Sequence, residues 1–282
     1  MNNFGGNWTQ QKIRIVEEYA KAYLQIMKEH PYWKLLYFDG FAGSGEIQID
    51  SPTDSKIIEG AAKRIVSINE PKKFDVCYFV ELNSAKAKRL RDCLRQIRYT
   101  GVFVKEGDCN QKLLDLAGFL KNGDGKKHKV LAFIDPCGMQ VNWSAIEALK
   151  GLSIDMWLLV PTGIGVNRLL MKNHKVPDAW WNKLESFYGL SRDLLDKAFY
   201  NTSEINTLFG TETVVSKVPA AVNKIEAIYK DRLKEVFKYV SHPYVMRNVN
   251  ESIMFHFVLA SNNQTAVKIA NDMVKKINQQ VD

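Results

Sequence analysis

The run Asp39-Gly40-Phe41-Ala42-Gly43-Ser44-Gly45 has the residue types of a loop that holds a ligand. The apolar run Leu35-Leu36-Tyr37-Phe38 before it is what a strand covered on both faces requires. Asp39 ends that strand. Gly43 and Gly45 then let the backbone turn tightly and approach a ligand where a Cβ would collide. A nucleotide-type cofactor needs this at the carboxyl end of the first strand of a doubly wound sheet. A second acid, Glu81, closes the apolar strand Phe74–Val80, with Leu82 next to it. A carboxylate at that point accepts both hydrogen bonds of a ribose diol, or else begins an ordinary surface turn. Two more strands end in Gly107-Asp108-Cys109-Asn110 and in Asp135-Pro136-Cys137-Gly138.

These acids need elements to position them. Ile13, Val16, Tyr19, Ala20, Tyr23, Leu24 and Met27 recur at helical spacing, which predicts a leading helix capped by Thr9 and ended near His30-Pro31. Lys12 and Arg14 lie in its first turns, either solvated or, for a lysine, beside a ligand's carboxylate. A polar loop, Gln48 to Ser55, contains Ser51-Pro52 and separates the glycine loop from a helix starting near Ile58. The helix Asn83–Ile97 turns Lys86, Lys88, Arg89, Arg91 and Arg95 outward, as a solvated face or a nucleic-acid surface. Strands follow at Val102–Val104, Val130–Ile134 and Ile154–Val160. Between them lie a short helix, Leu113–Leu120, a mobile basic loop, Lys121–Lys129, and a helix, Ser144–Leu149. Asn167 and Arg168 then orient an acceptor or cap the next helix. Residues 166–235 read as an all-helical insertion in which Trp180 and Trp181 stack a base or pack a small core. Phe237–Met246 and Ser252–Ala260 read as a closing strand pair before a helix, Thr265–Ile277. The expected organisation is 1–165 for the leading helix and core, 166–235 for the insertion, and 236–282 for the closing strands and helix.

At 282 residues, 46% apolar and 25% charged, the chain buries a sizeable core without staples. Its net charge of +8 allows an anionic partner. No apolar run is long enough for a membrane span, and Met1 to Asn7 lack a signal-peptide pattern. Cys77, Cys93, Cys109 and Cys137 show no C-x-x-C spacing, so a reducing cytoplasm is expected, with no disulfide framework and no cysteine zinc site. There is no H-E-x-x-H run, P-loop or Ser-His-Asp grouping.

Asp39 to Gly45 resembles the D-x-F-A-G-x-G loop of S-adenosylmethionine-dependent methyltransferases, especially those that methylate amines. Taken in order, Trp8-Thr9 with Lys12, that loop, Glu81, Asp135-Pro136 with Gly138-Met139, and Gly165-Val166-Asn167-Arg168 resemble the three-Cys-motif partner protein family. The resemblance implies an α/β, Rossmann-like class I methyltransferase fold with a mostly parallel seven-stranded sheet, an antiparallel last strand and the helical insertion. It implies S-adenosyl-L-methionine as cofactor and S-adenosylhomocysteine as product. Lys12, Asp39, Gly40, Phe41, Gly43 and Gly45 would hold the methionine half, Glu81 and Leu82 the ribose side, and Asp108 with Cys109 the adenine. Asp135 would border the cofactor as well, and it occupies the place of an acid that orients a target amine together with the Pro136 carbonyl. Cys137 stands where the amine-methylating motif has a second proline and an aromatic follows. The family is named for a neighbouring gene product, so a protein partner encoded nearby is implied, and the three-cysteine motif belongs to that partner. The resulting reading is methyl transfer to a nitrogen of a nucleic-acid base. Cytosine-C5 transfer through Cys137, a protein or small-molecule acceptor, and a non-catalytic cofactor-binding sensor stay open beside it.

Overall fold

A computed structural model describes residues 7–50, 55–97, 99–172, 174–208 and 210–279. The N-terminal residues before Asn7 and Ser51-Pro52 lie outside them.

Helix α1 (Asn7–Met27) precedes β1 (Lys34–Asp39), a hairpin β2 (Glu46–Asp50) and β3 (Ser55–Glu59), and α2 (Ala61–Val66). Then come β4 (Val76–Glu81), α3 (Ser84–Arg95), β5 (Val102–Glu106), α4 (Cys109–Lys121), β6 (His128–Ile134), α5 (Trp143–Glu147) and β7 (Ile154–Val160). The chain continues through α6 (Asn167–Leu169), α7 (Asp178–Tyr188), α8 (Arg192–Phe199), β8 (Tyr200–Thr207), β9 (Gly210–Lys217) and α9 (Ala221–Val236). It closes with β10 (Tyr239–Val240), β11 (Tyr244–Arg247), β12 (Ile253–Ser261) and α10 (Gln264–Asn278).

The main sheet runs β10-β12-β7-β6-β1-β4-β5, with β11 also paired to β12. The pairs β1–β4, β1–β6, β4–β5 and β6–β7 are parallel, while β12 is antiparallel to β7. This is an α/β Rossmann-like sheet, mostly parallel, with its last strand reversed; it has eight strands where seven were expected, because the segment before β12 supplies both β10 and β11. The chain winds outward from β1 to β5, then returns to the other side of β1 for β6. The carboxyl ends of β1 and β6 therefore flank the switch point where such sheets hold ligands.

Both sheet faces are covered, which explains the apolar runs. One core packs α1, α2, α3 and α10 on residues such as Tyr37, Phe79 and Phe257. The other packs α4, α5, α7 and α9 on Phe38, Ile134 and Val258. All seven periodic residues predicted for α1 are buried.

The structure differs from the sequence expectations at several points. Thr9 is not a cap but lies inside α1, which begins earlier, where Trp8 packs on Phe255 with ring centres 5.7 Å apart. Ile58 belongs to a strand and not to a helix start: β2 and β3 pair Ile47 with Ile58, and a segment rich in isoleucine favours extended backbone. Helix α4 starts at Cys109 rather than near Leu113, because the Asp108 carboxylate accepts the Gln111 N–H and caps it. A short 3-10 turn, Gly123–Lys127, occupies the expected basic loop. The strand expected over Phe237–Met246 is broken into β10 and β11 around Pro243, which has no N–H to give a ladder. The insertion is not all helical, since β8 and β9 form a two-stranded ribbon. Their threonines, serines and valines carry no helical apolar period.

Helix α7 ends at Gly189 in the left-handed conformation, φ 62°. A Cβ there would stand 2.1 Å from Cδ1 of buried Trp143, whose ring carries the Arg232 guanidinium at 4.4 Å. Gly189→Ala is expected to destabilise the protein by about 3 kcal/mol, read as a lower denaturation midpoint, because steric overlap adds to backbone strain.

Candidate functional site

Beyond β1 the chain is fastened on both sides. Gly40 N–H donates to the Phe133 carbonyl of β6 at 3.0 Å, and Ala42 N–H to the Val80 carbonyl of β4 at 2.9 Å. Gly43 N–H then donates to Oε2 of Glu81 at 3.0 Å, while Oε1 of Glu81 accepts the Asn83 N–H at 2.8 Å. Glu81 thus ties the loop to the end of β4. Each of its oxygens keeps a lone pair for a ligand hydroxyl.

The glycines have separate reasons. Gly40 admits Cys109, whose Sγ would lie 2.5 Å from a Cβ there. Gly43 has φ 65°, and a Cβ on it would meet no atom within 4 Å, so its outer side is open space.

A cavity of about 510 Å³ opens over this rim. It gathers Lys12, Asp39, Gly40, Phe41, Gly43 and Gly45, together with Glu81, Leu82, Asp108, Cys109, Asp135 and Cys137. Pro136, expected at the site, is buried and does not line it. Asn167 and Arg168 do not reach it. Asn167 is held from the other side, its Oδ1 and carbonyl accepting Lys217 Nζ at 2.6 and 2.8 Å. Trp181 is buried, and the core it joins is that of the main sheet and not a separate one of the insertion. His256 is a core group too: its Nδ1 lies 2.8 Å from Thr162 Oγ1, and burial lowers it to about 4, so the ring is neutral.

Electrostatically the cavity is acidic at its floor. Asp39 is 1% exposed. Burial pushes its carboxyl up to about 8, the nearby Asp135 and Glu81 charges add to this, and the Phe41 N–H and Lys12 oppose it. Asp135 is bound by Lys12, whose Nζ lies 2.6 and 2.5 Å from its two oxygens. Burial pushes the Cys109 thiol up as well, which makes it a packing group and not a nucleophile.

Sequence reasoning placed Gln140 in the pocket but missed the part that Asn83 and Lys86 take in it and the contacts that hold Gln140. Asn83 caps α3, its side chain accepting the Lys86 N–H at 3.0 Å, and both residues line the cavity. An asparagine just before a helical run was the available signal. Asn110 donates to the Gln140 carbonyl at 2.9 Å, and Gln140 Oε1 accepts the Cys137 N–H at 3.0 Å. That brace has no sequence signal, since it joins segments thirty residues apart.

A larger cavity, about 840 Å³, lies at the opposite rim, by the amino ends of β6 and β7. Of its carboxylates, Asp155 already accepts from Ser261 and Tyr19 at 2.5 and 2.9 Å.

Neither a family model nor a curated protein matches the chain. Among solved structures, a Legionella pneumophila protein is 13% identical with a TM-score of 0.46, covering 93% of this chain and 89% of that one. An S-adenosylmethionine-dependent methyltransferase from Clostridium acetobutylicum is 8% identical with a TM-score of 0.38, covering 89% of this chain and 92% of that one. A Pyrococcus horikoshii protein in complex with S-adenosyl-L-methionine is 9% identical with a TM-score of 0.36, covering 95% and 77%. The fold assignment stands on this chain's own strand order. Among the described residues no helix is long and apolar enough to cross a membrane, and no cluster of three metal-binding side chains occurs.

Proposed function

We propose that the protein is an S-adenosylmethionine-dependent methyltransferase acting on a nitrogen, the exocyclic amine of a nucleic-acid base. One observation carries this reading. Asp39, Glu46, Glu81 and Asp108 line one cavity with Lys86, beside an Asp135 that Lys12 already pairs. Such an excess of carboxylate favours a ligand bearing positive charge, and S-adenosylmethionine carries a sulfonium and an ammonium. The fit is supported by the open side of Gly43 and by the free lone pairs of Glu81.

In this reading Asp39 and the loop hold the methionine half, Glu81 the ribose and Asp108 the adenine. Asp108 Oδ1 is spent on capping α4, which leaves Oδ2 toward the ligand, 3.5 Å from Asn110 Nδ2. When bound, the cofactor supplies a methyl already activated on sulfur. The protein's part is to hold an amine in line with it: Asp135 accepts an N–H bond of the amine and so aims its lone pair. The net charge of +8 supports an anionic acceptor, and so does the exposed Lys86, Lys88, Arg89 and Arg95 face of α3, which starts at the cavity wall. A base within a duplex would have to be flipped out. The insertion, residues 166–235, is proposed to contact the acceptor. Incubation with methyl-labelled cofactor and fractionated cell extract tests the reading. Label in nucleic acid is expected; label confined to small molecules overturns the acceptor.

The exposure of Cys137 at the cavity favours one alternative, in which its thiolate adds to a cytosine ring. The two readings separate cleanly. Under nitrogen transfer Cys137→Ala keeps label incorporation within about threefold of the parent, whereas loss of a covalent nucleophile would remove nearly all of it.

A further inference from the structure

We propose that Lys12 is a latch on Asp135 that the carboxylate of the incoming ligand releases, so that the site selects a carboxylate-bearing ligand and engages its acceptor only afterwards. This rests on the S-adenosylmethionine reading above.

Lys12 comes from α1 and Asp135 from the end of β6, 123 residues apart. The Lys12 side chain is 6% exposed and that of Asp135 is 22% exposed, and both line the cavity. Lys12 binds both oxygens of the acid at once, so an acceptor amine would have to share Asp135 with the ammonium. The Lys12 Nζ also lies 5.6 Å from the centre of the Trp8 ring. A lysine stem carries a compact charge on four rotatable carbons, so the ammonium can move to a second acceptor in the same cavity. A ligand carboxylate is such an acceptor, of the same charge and hydrogen-bonding capacity as Asp135. Lys12 transfers to it, and Asp135 is left as a free acceptor for an N–H. A nucleoside lacking the carboxylate offers Lys12 nothing and leaves the latch shut.

The geometry has a signature that a merely structural ion pair lacks. Asp135 and the ligand compete for one lysine, so removing the acid should tighten binding of a carboxylate-bearing ligand. Calorimetric titrations with S-adenosylhomocysteine, which has the carboxylate, and with 5′-methylthioadenosine, which has none, read this directly. For Lys12→Met, the affinity for S-adenosylhomocysteine is expected to fall about 30-fold and that for 5′-methylthioadenosine to stay within about threefold. For Asp135→Asn, S-adenosylhomocysteine is expected to bind about three- to tenfold more tightly, with 5′-methylthioadenosine unchanged. The Lys12→Met/Asp135→Asn double variant should match Lys12→Met, because Asp135 acts on the ligand only through Lys12. It also serves where Lys12→Met alone leaves a charge too poorly paired to fold.

Equal weakening of both ligands by Lys12→Met overturns the latch. So does weaker binding of S-adenosylhomocysteine by Asp135→Asn. A parent protein that binds neither nucleoside overturns the cofactor reading itself, a result distinct from either of these.

Discussion

Titration of Glu81→Ala with S-adenosylmethionine is expected to show a dissociation constant about 100-fold above that of the parent. Two losses combine. The carboxylate that would accept the ribose hydroxyls is gone, and charge-assisted hydrogen bonds of this kind contribute about 1.5–3 kcal/mol each. The Gly43 and Asn83 N–H groups also lose their acceptor, at 3.0 and 2.8 Å, so the loop is no longer fastened to β4. At about 1.4 kcal/mol per tenfold, one ribose contact and part of the loop suffice for the predicted change. Glu81→Gln separates the two contributions. Its amide oxygen can keep one backbone bond and one ligand bond, so it should fall between parent and alanine. An unchanged dissociation constant for Glu81→Ala would remove Glu81 from the ligand site, whatever the thermal stability of the variant.

The second large effect concerns pH. Burial raises Asp39 from its ordinary 3.8 to about 8 in the folded chain. Between those values the folded state holds a proton that the unfolded state has released. Stability is therefore greatest below the unfolded value, declines as pH rises through this window, and levels off above the folded value. The decline should amount to about 3 kcal/mol or more. Asp39→Asn removes the titration, so denaturant unfolding at pH 9 should find the variant more stable than the parent, while near pH 4 the two should nearly coincide. A parent whose stability does not fall any faster than the variant's between pH 5 and 9 would contradict this. A cationic ligand reverses the balance by favouring the ionised acid. Binding near neutral pH should then release a proton, seen as a dependence of the calorimetric heat on buffer ionisation enthalpy. The same variant should lose affinity for S-adenosylmethionine, so stability and binding move in opposite directions. That pattern is expected of a functional site whose charge is costly until its ligand arrives.

Much of the architecture was legible without coordinates because it rests on local physics. The apolar runs before Asp39, Glu81 and Asp135 mark strands buried on two faces, and β7 has the bounds its residues predict, Ile154–Val160. The three acids and Asp108 stand at strand ends, and in a parallel sheet strand ends share a rim. The expectation that they gather in one place needed only the order of elements.

The tertiary structure decided what those groups do to one another. No spacing rule pairs Lys12 with Asp135, since their meeting depends on how α1 crosses the sheet. Glu81 as the anchor of Gly43 and Asn110 as the brace of Gln140 are likewise contacts between segments that only the closed chain brings together. The hairpin β2–β3 and the ribbon β8–β9 escaped for a related reason: strands paired outside the main sheet show little of the period that a core imposes. Residue types and order determined which groups are present and at which rim. Long-range packing determined their charge state and their partners, because burial and Coulomb energy depend on distances that sequence separation does not encode.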